Sequence, residues 1–77
     1  MPERVLICGF GRVGGTIGDA LEAFSIPYTV VDLDFTVIEA LRKRGIPCVY
    51  GDVAGEPVLR TAGAATARLA VLATPGL

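Results

Sequence analysis

Apolar residues fall along this chain in short runs separated by turn residues, and their spacing switches between two patterns. Arg4-Val-Leu-Ile-Cys8 reads as the first strand, its run continuously apolar after Arg4, as expected of a strand buried on both faces. Gly9-Phe-Gly-Arg-Val-Gly14 is a turn, after which Val13, Ile17, Ala20, Leu21 and Phe24 recur at helical spacing with Asp19 and Glu22 off the stripe. Ile26-Pro27 closes that helix, and Tyr28-Thr-Val-Val-Asp32 reads as a second strand. Asp34 is placed to cap a second helix whose apolar face is Val37, Ile38 and Leu41. Arg42, Lys43 and Arg44 occupy its last turn, where cations favour the negative dipole end, and Gly45 stops it.

Ile46-Pro-Cys-Val-Tyr50 predicts a third strand, and Gly51-Asp52 turns toward a third helix with Pro57 near its start and Gly63 after it. Arg68-Leu-Ala-Val-Leu-Ala73 predicts a fourth strand. The joints Ser25-Ile-Pro-Tyr28 and Gly45-Ile-Pro-Cys48 look alike, as if one helix-to-strand problem were solved twice. The alternation β-α-β-α-β-α-β predicts an α/β fold: a Rossmann-like parallel sheet with crossover helices. Right-handed crossovers and the usual doubly wound order place the strands 3-2-1-4. The pattern stops just after the fourth strand, so residues 1–77 are expected to be the N-terminal part of a single Rossmann nucleotide-binding domain, the first half of a doubly wound sheet.

Composition sharpens this reading. Half the chain is apolar (52%), but the longest candidate span, residues 62–73, is cut by Thr66 and Arg68, which argues against a bilayer crossing. Buried parallel strands account for the apolarity instead. A net charge of −1 supplies no field for nucleic acid or an anionic membrane. The N-terminus lacks the form of a signal peptide, which points to the cytoplasm. With no histidine and only Cys8 and Cys48, a metal site or a Cys–His nucleophile has almost nothing to be built from. Both cysteines are expected to be buried strand residues. The second strand would lie between them, about 10 Å of separation at ordinary strand spacing and beyond disulfide reach.

The chemistry concentrates at Gly9-x-Gly11-x-x-Gly14. A glycine triple alone is a weak signal, but this one follows a predicted strand, opens a predicted helix, and is answered about 20 residues on by Asp32 at the end of the second strand. Gly9 permits the sharp turn, Gly11 lets backbone approach a pyrophosphate, and Gly14 lets the helix pack closely on the sheet. The N–H groups of Arg12, Val13 and Gly14 would face the phosphates at the positive helix end, with Arg12 adding a mobile cation. Asp32 would accept from the adenosine ribose hydroxyls. The same charge repels a 2′-phosphate, and residues 33–36 bring no Arg or Lys, so NADP is disfavoured.

Asp34 could share the ribose, although capping suits it better. Asp52 could accept from the adenine amino group or cap the next helix. Phe10 and Tyr50 read as packing residues before ligand-stacking ones, and Thr74 would reach the switch-point crevice. The candidate cofactor-binding set is therefore Gly9, Phe10, Gly11, Arg12, Val13 and Gly14 in the turn, Asp32, Leu33 and Asp34 after the second strand, Gly51 and Asp52 after the third, and Thr74 after the fourth. No catalytic residue or metal ligand is predicted. A P-loop is absent, and the only lysine, Lys43, sits at a helix end.

Val5-Leu-Ile-Cys-Gly-Phe-Gly-Arg-Val-Gly14, Val31-Asp32, Val49-Tyr-Gly-Asp-Val53, Val58-Leu-Arg-Thr-Ala-Gly63 and Leu69-Ala-Val-Leu-Ala-Thr74 together resemble the Trk/RCK N-terminal domain, a regulator of potassium conductance. The resemblance spans nearly the whole chain. It implies a cytoplasmic, non-enzymatic regulatory domain at the inner face of the membrane, acting on a potassium channel, a Trk-type uptake system or a Kef-type potassium/proton antiporter. It further implies NAD(H) as ligand, with ADP, ATP or AMP as alternatives, and a homodimer or higher homo-oligomer. By the resemblance Gly9, Gly11, Arg12 and Val13 lie on the phosphates, Asp32 on the ribose and Asp52 near the adenine. Thr74-Pro75 departs from the family, which often carries an acid just after the fourth strand. Two other readings remain open on the residues alone: the cofactor-binding fragment of an NAD-dependent dehydrogenase, and a structural Rossmann fragment without ligand.

Overall fold

The computed structural model describes residues 4–52 and 69–72. Its elements run β1 (Val5–Cys8), α1 (Arg12–Ala23), β2 (Tyr28–Asp32), α2 (Phe35–Lys43), β3 (Cys48–Tyr50) and β4 (Leu69–Leu72). The strands form one parallel sheet in the order β3-β2-β1-β4, as the crossover rule required. In register, Cys8 lies beside Val31 on one side and Leu72 on the other, and Val31 lies beside Val49. The predicted third helix, between Pro57 and Gly63, and the candidate Thr74 lie outside the described residues.

One sheet face carries Val5, Ile7, Tyr28 and Val30, and α1 and α2 lie across it, bringing Ile17, Leu21, Val37 and Leu41 into the same cluster. Strand alternation turns Leu6, Cys8 and Val31 to the other face, and these too are buried. Both faces of the central strands are therefore dry, which is why their sequences carry no polar alternation. Each fully buried aliphatic side chain contributes roughly 1.5–3 kcal/mol relative to exposure.

The helical stripe of α1 differs from its expected place. Val13 is 61% exposed, Phe24 is 78% exposed, and Ala20 is exposed as well. The buried face is instead Gly14 and Gly18, with Ile17 and Leu21 packed beside them. Close approach is the reason. A Cβ at Gly14 would overlap the Gly9 carbonyl oxygen, and one at Gly18 would come within 2.9 Å of the Phe10 ring. The helix thus rests on its glycines, and that turns Val13 and Ala20 outward. Gly14 and Gly18 are four apart, a spacing that puts them on one face and was available in the sequence.

The two similar joints have the same structure. After α1, Ser25 N–H donates to Glu22 O (3.0 Å) and Ile26 N–H to Leu21 O (2.8 Å); after α2, Gly45 N–H donates to Arg42 O (3.0 Å) and Ile46 N–H to Leu41 O (3.0 Å). Both are Schellman motifs, which require a left-handed residue just past the helix. Gly45 fills that position with φ +74°, and Ser25 fills it with φ +56°. Pro27 O and Pro47 O then accept from Val5 and Val30 of the neighbouring strands. Pro47 has no N–H to give, and β3 begins only at Cys48, two residues later than its apolar run suggests.

Both cysteines are free; Cys8 is buried, but Cys48, on the edge strand, is only half-buried, short of the full burial expected for it. They lie on opposite sheet faces with β2 between them. Burial pushes the Cys8 thiol up from its ordinary value.

Candidate functional site

α1 and α2 start at the same end of the sheet, and their N-termini are finished differently. At α2 the Asp34 carboxylate accepts from Thr36 N–H (3.0 Å) and from the Thr36 hydroxyl (2.6 Å), closing the helix end. These bonds, the hydroxyl's first, hold the Asp34 carboxyl below its ordinary range. The capping role expected for Asp34 is the one it has. At α1 the N-cap position is Gly11; no side chain caps it, and no acidic residue stands in the first turn. Gly15 N–H donates to Gly11 O (2.8 Å), so the ladder begins there. The N–H groups of Arg12, Val13 and Gly14 precede it, at a helix end that carries partial positive charge.

The three motif glycines have separable reasons. Gly9 has φ +98°, a left-handed conformation that turns the chain sharply off β1. Gly14 is demanded by contact with Gly9, as above. Gly11 has φ −83°, and a Cβ placed on it would meet nothing within 4 Å. Neither crowding nor the sign of φ asks for glycine there, and the space above it is open. Arg12 and Val13 are exposed beside that space, and Phe10 turns inward to stack near Tyr28, ring centroids 6.4 Å apart. Phe10 is thus the packing residue its sequence context suggested.

Asp32 ends β2 half-buried, and both of its oxygens are engaged. Oδ2 accepts from Phe10 N–H (2.7 Å) and Oδ1 from Asp34 N–H (2.8 Å). Its backbone oxygen accepts from Gly51 N–H (3.0 Å), which draws the turn after β3 to the end of β2. The structure therefore brings Gly9–Gly14, Asp32–Asp34 and Gly51–Asp52 to the carboxyl end of one sheet, where ligands bind in open α/β folds. Leu33 and Asp52 are exposed at that end. Tyr50, opposite Asp32 in register, makes an edge contact with Phe35 at 5.4 Å. The Asp32–Phe10 bond had no signal in the sequence, because it joins the end of β2 to a backbone group in the turn after β1.

An open cleft at the opposite end of the strands, lined by Arg4, Glu22, Tyr28 and the two Ile-Pro joints, is far from these groups. It is a brace between elements. The Tyr28 hydroxyl donates to Glu22 Oε2 (2.6 Å), and Arg44 of α2 donates to both Glu22 oxygens (3.1 Å each). Among the described residues no cluster of His, Cys, Asp and Glu is suited to hold a metal, and no helix is long and apolar enough to cross a membrane.

Comparison with known proteins agrees with this geometry. The family model of the TrkA-N domain matches residues 5–76. A putative cation/proton antiporter of Escherichia coli K12, YbaL, is 36% identical over 73 residues, covering 95% of this chain and 13% of its own length. The chain therefore spans about an eighth of that relative. The crystal structure of the TrkA-N domain of the Escherichia coli inner membrane protein YbaL superposes with a TM-score of 0.90 at 33% identity, covering 94% of this chain and 53% of that one. With a family model matched along almost its whole length, an open glycine turn and an acid closing the second strand, this chain belongs to the TrkA-N domain family.

Proposed function

We propose that this chain is the nucleotide-binding half of a regulatory domain that controls a potassium or other cation transport system, with NAD(H) its preferred ligand and ADP, ATP or AMP as alternatives. The observation that carries the reading is the unfinished N-terminus of α1. Its neighbour α2 is closed by Asp34, whereas α1 is left without a cap beneath open space at Gly11. A pyrophosphate supplies the missing acceptors there, with Arg12 alongside. The ribose of the adenosine meets Asp32, flanked by Leu33, and the adenine extends toward Gly51 and Asp52. NADP is disfavoured because its 2′-phosphate would meet Asp32 and Asp34 together. The role is regulatory and not catalytic.

The name of the antiporter relative supports a membrane transport protein as the partner or the remainder of the chain, with this domain on the cytoplasmic side. The crystallised TrkA-N domain is about twice as long as the part matched, which supports residues 1–77 being the first half of one domain. A homodimer or higher oligomer is the expected assembly. Ligand can bias such an assembly only through different affinities for its two states.

Calorimetric titration with NADH, NADPH and ADP tests the site, using wild type and Gly11→Ala. The added methyl meets nothing within 4 Å beyond the adjoining residues of the turn; ψ of −147° at Gly11 is unusual for an L residue, so near-ultraviolet dichroism of the variant accompanies the titration. NADH should bind, NADPH should bind more weakly, and Gly11→Ala should cost about tenfold or more, or about 1.4 kcal/mol. Binding of none of the three by the wild type, or a preference for NADPH, would sink the reading.

A further inference from the structure

We infer that Asp32 is a positioning residue for the glycine turn, holding its phosphate-facing N–H groups in place before any ligand arrives. The inference rests on the reading of this turn as a nucleotide site and adds a second task for the same carboxylate. Phe10 sits between two glycines, one of them in a left-handed conformation, where the backbone has the most freedom to lose. Three contacts remove that freedom. Gly9 N–H is held by Val31 O at 2.8 Å, the Phe10 ring packs on the core, and Phe10 N–H donates to Asp32 Oδ2 at 2.7 Å. The last is the only one of the three made by a charged group.

The second oxygen is tied to the start of α2 through Asp34 N–H, so the carboxylate cannot swing away from Phe10 without releasing that bond. Each carboxylate oxygen has about two acceptor sites, and the two backbone bonds use one on each. The remaining site on each oxygen suits two neighbouring hydroxyls of a ribose. Asp32 therefore orients the turn and meets the sugar in one fixed geometry, and the ordering cost of the turn is met before binding.

This makes a prediction opposite in sign to simple electrostatics. Inorganic pyrophosphate has no ribose and engages only the turn. If Asp32 acted on the ribose alone, Asp32→Ala would leave pyrophosphate binding unchanged or tighten it by removing a nearby negative charge. Positioning requires that it weaken, by about tenfold, the loss of a charge-assisted hydrogen bond. Asp32→Asn keeps one acceptor oxygen for Phe10 N–H but sets its NH2 against Asp34 N–H, so it should recover only part of that loss. Affinities would be read from the amide shifts of residues 9–14 during pyrophosphate and ADP titrations, with near-ultraviolet dichroism verifying the fold.

Amide exchange in the ligand-free protein supplies the independent readout. In Asp32→Ala the Phe10 amide should exchange about tenfold faster or more, and the Gly9 amide, held by Val31, should not change. Unchanged Phe10 exchange, equal acceleration at Gly9, or pyrophosphate binding as tight as in wild type would each overturn the inference. If wild type binds neither pyrophosphate nor ADP, the nucleotide reading falls, and the exchange result still decides whether Asp32 holds the turn.

Discussion

Glycines that look equivalent in the motif carry different loads, and single substitutions should separate them. Gly14→Ala drives a methyl into the Gly9 carbonyl, a backbone atom that cannot step aside. It should destabilise by about 1–3 kcal/mol or more, read as a lower denaturant midpoint. Gly18→Ala meets the edge of the Phe10 ring, a side chain and not backbone, and should cost less than Gly14→Ala. Gly11→Ala meets no crowding beyond its own turn and should cost clearly less stability than Gly14→Ala, while weakening nucleotide. The residue types at these positions were legible in the sequence, and so was the pairing of the turn with Asp32. That Asp32 holds Phe10 N–H was not, because only the pairing of β1 with β2 brings that group near; its bond to Asp34 N–H is local, two residues on.

Among the elements, the twin helix-to-strand joints give the sharpest comparison. They use the same hydrogen bonds, but one places serine where the other places glycine in left-handed conformation. An L-residue there costs roughly 1–2 kcal/mol, offset in part by the greater unfolded freedom of glycine. Ser25→Gly should therefore raise stability by up to about 1 kcal/mol, and Gly45→Ser should lower it by a similar amount; thermal or chemical unfolding of the two variants tests both signs. The start of α2 makes a pH prediction. The Asp34 carboxyl is depressed below its ordinary 3.8 by the Thr36 hydroxyl first and the backbone second. Its contribution is thus present above that value and lost as pH falls through the folded one. The stability gap between wild type and Asp34→Ala should be full at neutral pH and close in acid. Strand and helix identities were readable from apolar spacing. The rotation of α1 was read only in part: Ile17 and Leu21 pack on the core as their spacing predicts, but hydrophobicity does not mark Gly14 and Gly18, which complete the contact face and turn Val13 and Ala20 outward.

Across the whole molecule, the Tyr28–Glu22–Arg44 brace joins α1, β2 and α2 at the end of the sheet away from the glycine turn. Burial first, and the Glu22 carboxylate second, push the Tyr28 hydroxyl up to about 12 from 10. Its contribution is fully present below pH 10 and is lost as pH rises through the folded value. Glu22 is lowered from 4.5, by the Tyr28 hydroxyl before Arg44, so its contribution is lost instead as pH falls through its folded value. Stability should therefore decline at both extremes, and Tyr28→Phe should flatten both limbs. In Tyr50→Phe protein, where Tyr28 is the remaining tyrosine, phenolate absorbance should titrate near 12; a midpoint near 10 would show that the brace does not form.

The order of elements, the parallel sheet and the place of the glycine turn were determined by local information: run length, spacing, caps and glycines. Each of these acts within a few residues, so one chain read in order contains them. Tertiary structure alone decided how α1 is rotated on the sheet, which backbone group the Asp32 carboxylate holds, and which side chains brace the far end of the sheet. Those outcomes depend on Gly18 closing on the Tyr28 hydroxyl of β2 and on Asp32 reaching Phe10. Contacts of that kind exist only after strands distant in sequence have paired, and the spacing of residues along the chain does not encode the distance between them.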